Sequence, residues 1–235
     1  MAAPDLPQNY SRIKTVESFE ELITGSFTGG VNALCWPRIL PGDFREVVQR
    51  LGAGEEVEVV EESRLRNLPL SEAGREAVAI LLEDQRLLRK AGRDPVLNCI
   101  HSYARDEEPG PIRTDVFSFH ADRAPIEADT WLCTYHGPPS EGLRNEEARR
   151  RVDLAETRAE LLKVYGGPDD EAFAAYLGEC SYDLHYSPDP GATPFSFGVG
   201  NLWRIAVEWP GSAVPPCLHR APETRPGEAR LLLIS

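Results

Sequence analysis

The stretch Val116-Phe117-Ser118-Phe119-His120-Ala121-Asp122 (VFSFHAD) sets large apolar residues on one parity and Ser, His and Asp on the other. Successive side chains of a strand point to opposite faces, so Ser118, His120 and Asp122 share one face and Phe117, Phe119 and Ala121 the other. Such a strand makes sense if its polar face lines a hollow interior while its Phe face packs under helices. The expectation is a β-barrel with an imidazole and a carboxylate converging inside it.

The surrounding sequence supports a β-rich second half. From Pro95 the chain breaks into short segments rich in β-branched and aromatic residues: VLNCIHSY, TDVFSFHAD, DTWLCTYHG, PFSFGVG, NLWRIAVEW, VPPCLHR and RLLLIS. Pro, Gly and Asp turns separate them, which predicts a barrel or a double-sheet sandwich over residues 95–235. One helical excursion interrupts it at 145–179, read as two helices joined at Gly166-Gly167-Pro168. Gly198-x-Gly200 is too short for a dinucleotide fingerprint and reads as a strand bend.

Residues 1–94 read as a mostly helical layer. After a polar, irregular start come a short helix at 18–24 and a strand in GGVNALCWPRIL. Asp43 caps a helix over 44–51 that Gly52 ends. Ser71 caps the clearest helix, in which Ala77, Ile80, Leu81, Leu87 and Leu88 fall near helical spacing and which Lys90 and Gly92 close. With 235 residues, 41% of them hydrophobic, the chain is expected to form a single α+β domain over 1–235.

Charge and cysteine usage narrow the function. Acidic residues outnumber basic ones, 38 to 25, for a net charge of −13. That field repels a nucleic-acid backbone, and the only basic cluster, Arg149–Arg151, is flanked by acids, so nucleic acid is not an expected partner. No apolar run approaches the roughly 20 residues that cross a bilayer, and the start MAAPDLPQNYSRIK has no apolar secretory core. Five widely spaced cysteines without a CxxC pair suit reduced thiols in a cytoplasm.

His120 and Asp122 carry the chemistry. Two residues apart on a strand, their Cα atoms lie about 6.5–7 Å apart on one face, and both reach a common ion through bonds of about 2.0–2.2 Å. His219, on a second strand segment, completes a two-His, one-carboxylate face of the kind that holds Fe(II) with positions open. The bland alternative keeps His120 as a satisfied interior histidine and Asp122 as a turn residue. Thr224-Arg225-Pro226-Gly227 reads as a turn that folds the tail into a hairpin and brings Arg230 opposite His219. A buried arginine beside a metal suits a dicarboxylate that chelates at one end and needs an ion pair at the other.

The order His120-x-Asp122, His219 and a later Arg230 resembles the iron(II)/2-oxoglutarate-dependent oxygenases. That resemblance implies a double-stranded β-helix (jelly-roll, cupin-like) core, with Fe(II) on His120, Asp122 and His219 and 2-oxoglutarate on Arg230. The upstream NCIHSY is similar to the strand that supplies a cosubstrate-contacting tyrosine, here Tyr103. FHADRAPIEADTWLCTYHGPPSEGL, CLHRAPETRPGEARLLLIS and GGVNALCWPR resemble a bacterial family of unknown function, over roughly residues 27–235. The implied activity is hydroxylation of a small molecule or a protein side chain.

Other readings stay open at this point. A cupin-like metal enzyme uses the same triad without 2-oxoglutarate, and a metal-binding or sensing protein uses it without catalysis. Cys217-x-His219 is a zinc half-site lacking a second pair, and a Ser/His/Asp hydrolase lacks the Gly-x-Ser-x-Gly elbow. His101, His136 and His185 read as turn or surface residues, with His136 the candidate to support the metal ligands. Arg204 either pairs with Glu208 or competes with Arg230 as carboxylate anchor. Trp203, Ile205 and Val207 read as core.

Overall fold

The computed structural model describes residues 6–7, 9–105, 110–223, 225 and 227–235. Residues 1–5 and 8 of the irregular start, and Thr224 and Pro226 of the expected turn, lie outside them. The first part of the chain supplies β1 (Ile13–Thr15), α1 (Phe19–Thr24), β2 (Ala33–Trp36), α2 (Phe44–Leu51), β3 (Val57–Val59), α3 (Glu62–Arg66) and α4 (Glu72–Lys90). Then come β4 (Val96–Ile100), β5 (Asp129–His136), β6 (Glu141–Leu143), β7 (Ala148–Arg150), α5 (Ala155–Tyr165) and α6 (Glu171–Glu179). The last are β8 (Tyr186–Pro188), β9 (Phe195–Ser196), β10 (Leu202–Ala206), β11 (Leu218–Arg220) and β12 (Arg230–Ile234).

The helices begin where short polar side chains can replace a missing turn. Ser18, Asp43 and Ser71 each accept the backbone N–H three residues on, at the heads of α1, α2 and α4. Glu46 of α2 accepts from the N–H of Ser71 at 2.9 Å, which ties the two helices together. No helix among the described residues is long and apolar enough to cross a membrane.

Seven strands form one sheet in the order β1-β2-β10-β5-β12-β4-β3, antiparallel except for the β1–β2 pair. A second sheet has the order β11-β6-β9, and β7 pairs with β8. The period-2 alternation of each strand sorts its residues between two cores. Odd positions of β5 and β12, such as Trp131, Cys133, Leu231 and Leu233, pack against Val47, Leu81 and Leu88 of the helices. Even positions Leu132 and Leu232, with Trp203 and Ile205, face Phe195, Phe197 and Cys217 on the side of the small sheet. Every one of these side chains is under a tenth exposed, and burying each contributes roughly 1.5–3 kcal/mol.

Four expectations need correction. Among the described residues the protein is a mixed α/β assembly with three sheets, of seven, three and two strands, and no closed barrel. The first 94 residues are not only a helical layer, since β1, β2 and β3 join the large sheet. The hairpin between the segments of His219 and Arg230 does not form, because β11 pairs with β6 while β12 pairs with β4 and β5 in the other sheet. RLLLIS is apolar on both faces, and only the interior of the large sheet buries both. The α-helix of the excursion starts later than expected, at Ala155, with only single 3₁₀ turns at Asn145–Glu147 and Arg151–Asp153 before it. Upstream, Arg149 and Arg150 reach Asp189 and the Asp183 carbonyl across the β7–β8 pair rather than partners one helical turn away.

Candidate metal centre

VFSFHAD is not a strand throughout. Asp115 accepts from the N–H of Phe117 through its side chain and of Ser118 through its carbonyl, which curls the first half into a turn. The second half is extended and stitched on both sides. His120 and His219 exchange backbone hydrogen bonds of 2.9 and 3.0 Å, while Ala121 donates to Leu184 and Tyr186 to Phe119. The face assignment therefore survives: Phe117, Phe119 and Ala121 are buried, and Ser118, His120 and Asp122 are half-buried. The apolar side does not pack under the helices, however. Phe119 and Ala121 meet Leu143, Leu184 and Leu218, and Phe117 meets Tyr103 edge-on.

Cross-strand neighbours project to one face, so the two bridges of His120, to His219 and to His185, put three histidines in a row. His219 stands opposite Gly142 in β6. A Cβ on Gly142 would lie 2.2 Å from the Phe195 ring, so only glycine lets β9 close over the strand that carries this histidine.

His120, Asp122 and His219 each offer one ligand atom within 4.8 Å of the others. Asp122 Oδ1 lies 3.9 Å from His120 Nε2, and Asp122 Oδ2 lies 3.8 Å from His219 Nε2. His120 Nδ1 donates to the Ser118 carbonyl at 2.7 Å. A carbonyl can only accept, so Nδ1 carries the proton and Nε2 keeps its lone pair for the cluster. Burial, then the neighbouring His219, hold the His120 imidazole down at about 4, neutral at physiological pH. Burial pushes the Asp122 carboxyl up, but His219, the Thr130 hydroxyl and His120 together outweigh it and hold the group below its ordinary value. A neutral His120 imidazole with a free Nε2, a second imidazole from His219 and one ionised carboxylate form a donor set that fits a divalent first-row metal.

His120 and Asp122 of the triad open onto a cleft of ≈ 780 Å³ that His185, Arg123, Glu208 and Trp209 also line, with Gly178 from the excursion. Its volume is that of a site for a small molecule. Arg123 binds Asp183 at 2.5 Å and Glu208 at 2.7 Å, and Arg150 lies 3.5 Å from Glu208, so charge pairs join the excursion to the core along this wall.

Arg230 and Tyr103 are also brought together. Arg230 is 2% exposed and begins β12 on the parity of Leu232, facing the gap between the sheets. Its guanidinium donates to Tyr103 at 3.0 Å, Thr134 at 3.0 Å and Ser140 at 2.7 Å, and Nε has no partner. No carboxylate pairs with it among the described residues. Burial pulls its pKa down, only partly offset by Tyr103. Contacts link it to the triad: Ser140 accepts from the N–H of Phe197, whose ring centroid is 6.4 Å from that of His219.

The remaining candidates are accounted for otherwise. Arg204 faces the helices, not the gap. It pairs with Asp129 at 2.6 Å and donates to the carbonyls of Leu22, Ile23 and Gly25 that end α1. Glu208, its expected partner, belongs to Arg123. Arg220 pairs with Glu141, and Arg225 is exposed. Cys217 is buried outside the triad, and burial, then Asp122, push its thiol up to about 12. His185 is not a surface residue but 4% exposed, its ring centroid 5.8 Å from that of His120. His136 does not support the ligands: it ends β5 six residues beyond Thr130, about 20 Å along the strand.

The supporting residue is Thr130, whose hydroxyl donates to Asp122 Oδ2 at 2.6 Å. It shares a face of β5 with Thr134, which holds Arg230. The signal was in the sequence: DTWLCTYH puts Thr130, Leu132 and Thr134 on one parity, the pattern that singled out VFSFHAD. Compared with family models, curated proteins and solved structures, the chain has no match.

Proposed function

We propose that this protein is a non-haem Fe(II), 2-oxoglutarate-dependent oxygenase that hydroxylates a small molecule. The observation that carries the cosubstrate is Arg230, a guanidinium buried between two sheets with three hydroxyl partners and, among the described residues, no acid. An unpaired buried charge is costly, and a carboxylate arriving between Tyr103, Thr134 and Ser140 relieves that cost with a bidentate pair. His120, Asp122 and His219 would hold the metal, and Arg230 with Tyr103 would orient the far carboxylate of the cosubstrate. Fe(II) with 2-oxoglutarate and O₂ would supply oxidative decarboxylation to succinate and CO₂, one oxygen atom of O₂ entering succinate and the other a substrate C–H bond. The apolar packing around Phe197, Trp203 and Leu232 excludes water behind the ligands.

A large and a small sheet packed face to face, with the triad on the small-sheet side, are what support a jelly-roll-like core. The cleft volume favours a small molecule over a protein side chain, and the acidic surplus disfavours nucleic acid. Free cysteines are consistent with a cytoplasmic setting.

One observation favours a rival. The hydroxyls already satisfy much of Arg230, as a cupin-like metal enzyme without 2-oxoglutarate would require. Titrating the anaerobic Fe(II) protein with 2-oxoglutarate separates the two. The keto-acid chelate gives a visible charge-transfer band, and its absence removes 2-oxoglutarate from the reading. Lys lacks the guanidinium fork, so Arg230→Lys should raise the 2-oxoglutarate concentration needed for half the band about tenfold or more, a loss of roughly 1.5–3 kcal/mol. Fe(II) stoichiometry should be unchanged.

A further inference from the structure

We infer that Thr130 is a positioning residue that makes Asp122 a one-oxygen ligand and thereby keeps a metal position open. This rests on the metal reading above. The Thr130 hydroxyl donates to Asp122 Oδ2 at 2.6 Å, the length of a strong hydroxyl–carboxylate bond. Oδ1, 3.9 Å from His120 Nε2, accepts no hydrogen bond among the described residues.

Both partners are held from behind. Thr130 stands opposite Ile205 of β10. The next residue, Trp131, exchanges backbone hydrogen bonds of 2.8 and 2.9 Å with Ser235, so β5 cannot slide. Threonine, branched at Cβ, has few rotamers to explore on such a strand. The Asp122 carbonyl accepts from Glu208 at 2.7 Å, which fixes the backbone on the other side.

The hydroxyl takes up a lone pair of Oδ2, which lies 3.8 Å from His219 Nε2, and so favours binding of an ion through Oδ1 alone. A two-oxygen carboxylate beside two imidazoles would fill four of six positions of an octahedral ion and leave two, which a chelating keto acid would exhaust. One oxygen leaves three, enough for the keto acid and one further ligand. The hydroxyl of Thr130, which touches neither metal nor substrate, thus sets how many positions the protein leaves free.

Co(II) is a suitable probe, since its visible spectrum reports coordination number and geometry without turnover. The metal-free protein, Thr130→Val and Thr130→Ser would each be titrated with Co(II). Valine keeps the shape and removes the donor; serine keeps the donor. Thr130→Val should weaken Co(II) binding about tenfold to a hundredfold, the usual effect of losing an outer partner of a ligand, and should change the visible bands. Thr130→Ser should restore both affinity and spectrum. Wild-type affinity and bands in Thr130→Val would overturn the inference while leaving the metal site standing. So would a serine variant that behaves like valine, because packing rather than the hydroxyl would then matter. If the wild-type protein takes up no Co(II), the metal reading itself fails and this inference falls with it.

Discussion

Under the proposed function, residues at this site divide into three that would hold a metal and one that would receive the cosubstrate. His120→Ala, Asp122→Ala and His219→Ala should each abolish stoichiometric Fe(II) binding while leaving far-ultraviolet circular dichroism unchanged; full iron affinity in any of them removes that residue from the triad. Arg230 should behave differently. Replacing a buried ion by an apolar residue of similar length is often neutral or stabilising, by about 1–4 kcal/mol. Arg230→Met should therefore unfold in urea at or above the wild-type midpoint without ligand, yet lose the stabilisation that 2-oxoglutarate gives. A metal-free variant destabilised by more than about 2 kcal/mol would make this guanidinium a structural group instead. Residue type and parity singled out His120, Asp122 and His219, which the structure brings within 4.8 Å of one another, whereas Arg230 was reached through a hairpin that does not form. Thr130 left only its parity with Leu132 and Thr134 as a signal, and Ser140 and His185 left none, since a hydroxyl or an imidazole with one distant partner looks like any other in a sequence.

Elements were legible where local chemistry decides them and illegible where distant pairing does. The heads of α2 and α4 follow from Asp43 and Ser71, whose side chains act within three residues. Face assignments within strands also held, because the pleat is local. Strand partners did not: the apolar RLLLIS fits many neighbours, and the tail pairs with β4 and β5 rather than folding back on β11. Arg204 shows how tertiary placement redirects a residue, turning a candidate anchor into the cap of α1. Arg204→Leu should cost about 2–3 kcal/mol of stability, less than a wholly orphaned buried charge because Arg93 still faces Asp129, with no effect on Fe(II) or 2-oxoglutarate binding. The excursion from β7 to α6 borders the cleft and is tied to it by Arg123, Arg150, Asp183 and Glu208. Amide hydrogen exchange over residues 171–186 should slow when Fe(II) and 2-oxoglutarate bind; unchanged exchange there would leave the excursion a structural role.

For the molecule as a whole, two cores on either side of one sheet predict how its thiols react. Cys35, Cys99, Cys133 and Cys217 are buried, and Cys180 at the end of α6 is half-buried. Burial raises the thiol of Cys35, pushes Cys99 up to about 11 and Cys133 up to about 12. A disulfide reagent at pH 8 should titrate one thiol rapidly in the native protein and the remaining four only on unfolding. Rapid reaction of two or more would mean that a core opens far more readily than its packing implies. The large sheet has another property that reaches beyond stability. Thr130 and Thr134 sit two pleats apart on one face of β5, one bonded to Asp122 and the other to Arg230. Their separation is therefore fixed by backbone geometry at about 13 Å. A strand can change such a spacing only in steps of two residues, about 6.7 Å, because a step of one turns the side chain to the opposite face. Under the proposed function the site would thus behave as a graduated gauge for dicarboxylates. A homologue of the cosubstrate one carbon shorter or longer meets a fixed scale, and only side-chain reach, never the backbone, can make up the difference.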